Sequence, residues 1–196
     1  NLRQVLVYPG AFVVDHVQTN SGGVLQEQRR LLSGESWAQG QVILAWSEVL
    51  AGAADPAAGR NVVLHEFAHQ IDQDGGDADG RPWQRDEASR QRWVAVMDEG
   101  LARLRDAPSD TLDAYGSTDP AEYFAVATEA FFERPQALLQ AAPQLYEALS
   151  RLYRLDPRAW RRGAGQLWSS AADAPLERRP TDVVLLVVTV VSLALL

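Results

Sequence analysis

In the stretch NVVLHEFAHQID, residues 61–72, two of the chain's three histidines stand four positions apart, and a glutamate follows the first. An α-helix turns about 100° per residue, so His65 and His69 fall about 40° apart on one face, with a turn of helix between them. Their imidazoles can converge on a single ion at about 2.0–2.1 Å for each Zn–N bond. Glu66 lies next to that face, close enough to reach a water on the ion without having to ligate it. Two fixed neutral donors, an open coordination position and a carboxylate base beside the water are what metal-assisted hydrolysis requires. Zinc lowers the pKa of such a water toward about 7, which makes hydroxide available at neutral pH. The bland alternative is a helix carrying two ordinary histidines. With only three histidines in the chain, two of them flanking a glutamate on an amphipathic helix favour the metal.

Two histidines do not close a catalytic zinc site, and a third protein ligand is needed. The chain has no cysteine, which removes thiolate ligands, disulfide scaffolds and a thiol nucleophile together. His16 follows AFVVD in a strand-rich region and reads as polar detail. No histidine lies downstream of His69, which excludes the extended motif of the three-histidine zinc peptidases. The third ligand should therefore be a carboxylate on a later helix. Glu122, Glu129 and Glu133 all fall on the helix that begins at Asp119, and Glu122 and Glu129, seven apart, share a face. Glu122 also completes a capping box with Asp119, in which its side chain would reach back to the cap's N–H. Spacing puts Glu122 first and Glu129 second and leaves both open. Asp72 and Glu129 are candidates to accept the second N–H of a ligand histidine, with solvated carboxylates as the plainer reading. Tyr115, judged by position alone, is a buried aromatic just before a helix.

The elements that must hold these residues change character along the chain. QVLVYP, AFVV and QVILAW are short apolar runs set off by Gly, Asn and Ser, which predicts strands. GVLQEQRRLLSGESWAQG predicts one or two partly exposed strands, and LAGAADPAAGR (50–60) a loop. From residue 61 the period becomes helical. The first helix buries Val62, Val63, Phe67 and Ile71 and stops at the Asp/Gly-rich loop 74–82. A second covers 86–105, with Trp93, Met97, Leu101 and Leu104 on one face. A third opens with Asp119 as N-cap and Pro120 at its first position. Pro135, Pro143 and Pro157 each mark a further short helix. Strands first and helices after predict an α+β domain. The acidic loop 72–80 fails the spacing of a calcium-binding EF-hand.

At 196 residues the chain fits one domain with a real core, and 46% hydrophobic and 22% charged residues are globular values. A net charge of −8 argues against nonspecific nucleic-acid binding, which needs a basic stripe. The chain opens NLRQVLVYPG, without methionine or a signal-peptide pattern, and reads as a fragment or processed product. Residues 1–180 form the expected domain. The tail 181–196 ends in VVLLVVTVVSLALL, short of the roughly 17–25 residues of a membrane span. It is a truncated membrane anchor, a buried strand or an artefact, so the expected location is cytoplasmic with membrane association through the tail left open.

Taken together, LVYPGAFVVD, RLLSGESWAQGQVILAW, NVVLHEFAHQID, DAYGSTDPAEYFAV and LYRLDP resemble the Mlc titration factor A family of zinc metallopeptidases, itself similar to the catalytic domain of anthrax lethal factor. The resemblance runs from Val5 to Pro157. It implies a zincin-like fold of the gluzincin type, with one Zn²⁺ held by His65, His69 and Glu122 and with Glu66 as general base. It also implies that Tyr115 is an active-site tyrosine, whose hydroxyl would stabilise an oxyanion. Family members usually carry a further N-terminal helical segment, and the apolar tail has no counterpart among them. The expected activity is peptide-bond hydrolysis on a peptide or protein substrate. The family's name adds a transcriptional repressor as a possible partner. The rivals are a non-catalytic repressor-binding protein with a structural or vestigial zinc site and an idle homologue; the intact Glu66 weighs against the second.

Overall fold

Val42, Ile43, Leu44 and Ala45 are all buried, as a strand covered on both faces requires. They belong to β5 (Gln41–Ala45), the middle strand of a three-stranded sheet in this computed structural model, which describes residues 2–19, 25–37, 39–74 and 76–159. β1 (Gln4–Tyr8) runs parallel to β5, with Gln4 opposite Gln41 and Tyr8 opposite Ala45. β4 (Gly34–Trp37) runs antiparallel on the other side, with Gly34 opposite Leu44. β2 (Phe12–Thr19) and β3 (Leu25–Leu32) form a separate antiparallel hairpin.

Two expectations need correction here. Residues 50–60 are not simply a loop, because α1 (Trp46–Ala54) runs through their first half and a 3₁₀ turn (Pro56–Ala58) follows. The alanines and Leu50 of WSEVLAGAA favour helix strongly enough to absorb Gly52. QVILAW is also not strand throughout: it turns helical at Trp46, and its strand part lies in the middle of the sheet, with β1 and β4 as the two edges.

The helices follow the sequence more closely. α2 (Val62–Gln73) begins at Asn61, whose extended backbone and side-chain oxygen, accepting from the N–H groups of Val63 and Leu64, make it the N-cap. Its inward face differs from expectation. Val62, Val63, Phe67 and Ile71 are half-buried, whereas Glu66, Ala68 and Asp72 are buried. α3 (Glu87–Asp106) buries Trp93, Met97, Leu101 and Leu104 as its periodicity predicts.

α4 (Pro120–Glu133) is the central helix, buried at Ala121 and at every position from Tyr123 to Phe131. A helix apolar nearly all round must be enclosed on several sides. α3, α5 (Pro135–Ala141) and α6 (Pro143–Tyr153) supply much of that enclosure, and within it Phe131 stacks on Tyr153 and meets Tyr146 at a tilt. Pro135 and Pro143 open α5 and α6, and Pro157 opens a 3₁₀ turn (Pro157–Ala159). The α+β class holds. Among the described residues no helix is long and apolar enough to cross a membrane. The apolar run 183–196 lies outside the described residues.

Candidate metal centre

α2 and α4 meet at the site. Asp119 caps α4 by accepting the N–H of Glu122 at 3.0 Å, and Pro120 fixes the first turn. Only half of a capping box forms. The Glu122 side chain turns away from the cap toward α2, so that its Oε2 stands 2.9 Å from His65 Nε2 and 3.5 Å from His69 Nε2. The two Nε2 atoms are 3.2 Å apart. Donors at about 2.05 Å around a tetrahedral ion stand about 3.3 Å from one another, and this triangle matches that spacing. His65, His69 and Glu122 could hold a metal ion, and they form the one such group of three among the described residues.

Electrostatics point the same way. Burial works against charge on His65, but hydrogen bonds to Glu122 and Glu129 overcome it and raise the imidazole to about 10. For Glu122 burial acts to raise the carboxyl, yet the two histidines hold it well below the ordinary carboxylate range. The cluster thus stabilises positive charge at the point where the three donors meet. Glu66 is buried beside it, and desolvation pushes its carboxyl up to about 7 against the pull of both histidines.

Glu129 is not in the triangle. Its Oε1 lies 2.8 Å from His65 Nδ1, the nitrogen facing away from the triangle, which is the position of a ligand-orienting carboxylate. Glu133, the third carboxylate of α4, instead accepts from the Asn61 side chain at 2.8 Å. Asp72 does not serve His69 as its spacing suggests: its Oδ2 accepts the Gly80 N–H at 2.7 Å and ties down the loop after α2. Tyr115 is half exposed rather than buried, in a 3₁₀ turn (Ala114–Ser117). Its hydroxyl donates to Glu122 Oε1 at 3.2 Å, and its ring centre is 6.0 Å from that of His65. Burial, reinforced by Glu122, pushes its hydroxyl up to about 12, so it remains a donor.

Two residues at the site carry no chemistry that would single them out. Gly34 of β4 abuts Glu66, where an added Cβ would stand 2.5 Å from Glu66 Oε1. No local pattern announces a contact between residues 32 positions apart. Asn61 went unremarked in the sequence, although an asparagine immediately before an apolar helical run is the signal that would have found it as a helix cap.

With this geometry in place, comparison with known proteins decides the family. The model of the glucose-regulated metallo-peptidase M90 family matches residues 1–154. The chain belongs to that family. Mlc titration factor A of Salmonella agona is 37% identical over 164 residues, covering 79% of this chain and 60% of that protein. Its counterpart in Klebsiella pneumoniae is 37% identical over 173 residues, 83% and 63% of the two chains. An uncharacterized protein of Synechocystis is 38% identical over 161 residues, 80% and 58%. The chain therefore spans about 60% of the length of these relatives. The resemblance read from the motif blocks is correct, and it brings a metallopeptidase family to the histidine–carboxylate cluster.

Proposed function

We propose that this M90 member is a zinc-dependent peptidase with a zincin-like domain of the gluzincin type. The observation that carries the reading is the donor triangle, two imidazoles and one carboxylate at tetrahedral spacing, with a buried glutamate beside it. Two nitrogens and one oxygen from protein suit Zn²⁺, and three protein ligands rather than four leave a position open, as catalytic sites do. When bound, the ion supplies a Lewis acid and makes hydroxide available near neutral pH. Glu66 takes the proton from the attacking water and passes it to the leaving amine; a carboxyl held near 7 by burial is suited to both transfers. The Tyr115 hydroxyl, already a donor at the triangle, is placed to share the negative charge that develops on the substrate oxygen.

An extended substrate needs backbone partners, and β4 is the outer strand beside Glu66. A peptide laid along its outer edge would add a strand to the sheet, with its scissile carbonyl toward the triangle. The relatives named for titrating Mlc support a second activity, binding of a transcriptional repressor, in addition to hydrolysis.

Hydrolysis of a broad peptide library, measured before chelation, after it, and after zinc is restored, tests the reading together with Glu66→Gln. The expected result is chelator-sensitive turnover that zinc restores, and a Glu66→Gln protein that keeps zinc but loses turnover by at least about 100-fold. A zinc-loaded wild type without turnover would leave repressor binding as the function.

A further inference from the structure

The contacts around His65 specify more than an orienting carboxylate. Glu129 divides its two oxygens between partners on the same helix. Oε1 faces His65 Nδ1 at 2.8 Å, and Oε2 accepts a short hydrogen bond from the backbone N–H of Asn61. Asn61 cannot turn to release that bond, because its remaining polar atoms are engaged. Its Oδ1 caps α2 at Val63 (3.1 Å) and Leu64 (3.2 Å), its Nδ2 donates to Glu133 Oε1 at 2.8 Å, and its carbonyl accepts from the His65 N–H at 3.0 Å.

We propose that Asn61 and Glu129 are positioning residues that fix which nitrogen of His65 carries its proton, with the Asn61 N–H setting which way Glu129 must face. The inference rests on the metal reading above. A carboxylate oxygen only accepts, so it demands Nδ1–H and leaves the Nε2 lone pair for an ion. The N–H of Asn61 makes the position intolerant of an isosteric amide. In Glu129→Gln the carbonyl oxygen must face Asn61, since an amide nitrogen there would set donor against donor in a buried place. The amide nitrogen is then aimed at His65 Nδ1. That nitrogen has to accept, and its proton moves to Nε2, the ligating atom. The conservative change inverts the tautomer. Truncation to alanine only removes the guide and leaves the ring free to choose.

The test ranks zinc affinity, by competition with a chromogenic chelator, for wild type, Glu129→Ala and Glu129→Gln, and records the Co²⁺ absorption spectrum of each. Loss of an orienting partner costs about 10–100-fold in metal affinity. The expected order is wild type, then Ala about 10-fold weaker, then Gln about 100-fold weaker with a perturbed Co²⁺ spectrum. Thermal unfolding of the metal-free proteins should give the opposite order for the variants, because glutamine keeps the volume and the bond to Asn61. A purely structural role would rank both measurements alike. Should the alanine variant not fold, Glu129→Met, which fills the space without a donor or acceptor, takes its place in the ranking. A glutamine variant that binds zinc as tightly as the truncated one, or more tightly, overturns the proposal. A wild type that binds no zinc overturns the metal reading beneath it.

Discussion

Glu66 owes its position to a residue with no side chain. A Cβ on Gly34 would lie 2.5 Å from Glu66 Oε1 and 2.7 Å from both Glu66 Cγ and Val62 Cγ2, distances that force something to move. Gly34→Ala should therefore displace the Glu66 carboxyl, the proposed base, while leaving the donor triangle alone. The expected outcome is unchanged zinc content with kcat lowered by about 100-fold, the scale of loss when a reacting group is misplaced by about 1 Å; unchanged kcat would contradict it. Glu133 offers a separate test of charge. Burial raises its carboxyl to about 7, only partly offset by the bond from Asn61. The folded state then holds a proton between about 4.5 and 7 that the unfolded chain has released, so stability falls as pH rises through that window. Glu133→Gln removes the penalty. Because the side chain is partly exposed, the gain above pH 7 is discounted to about 1 kcal/mol, about 3 °C in Tm, with little change near pH 4.5. Thermal unfolding at the two pH values checks this.

At the scale of elements, the site depends on how α4 presents its first turn. Gly80 sits against that turn: with φ at +75°, an added Cβ would meet the Pro120 carbonyl oxygen at 2.4 Å. Gly80→Ala should cost about 1–3 kcal/mol through backbone strain and weaken zinc binding, since Pro120 is two residues from Glu122. Equal stability and affinity in a thermal melt and a chelator titration would contradict that coupling. Element types were largely legible in the sequence, because the periodicity of α3 and the prolines opening α4, α5 and α6 are local signals. What escaped was not local. α1 was hidden because Gly52 and Pro56 read as loop punctuation. The inward face of α2 was misjudged because apolar pattern alone assigned it to Val62, Val63, Phe67 and Ile71, while the buried positions include Glu66 and Asp72. A helix that carries a site turns polar groups inward, against the usual rule. Spacing alone left Glu122 and Glu129 open and the resemblance favoured Glu122; the α2–α4 contact that brings its oxygen to the histidines is contained in no spacing.

For the molecule as a whole, the candidate ligands come from two helices that lie 57 residues apart at His65 and Glu122. An ion bound by both helices stabilises the packed state and not the unfolded chain. Zinc at about 100 times its Kd should add about 2.7 kcal/mol, a rise of about 5–10 °C in Tm for a chain of this size, reversed by a chelator. A Tm indifferent to zinc would count against a site built across the fold. The most direct test of zinc between the two imidazoles is anomalous diffraction at the zinc edge from crystals of the zinc-loaded protein. A single strong peak is expected within about 2.0–2.2 Å of His65 Nε2, His69 Nε2 and a Glu122 oxygen. A zinc peak elsewhere, for example in the acidic loop after α2, with none between the two imidazoles, would contradict that expectation.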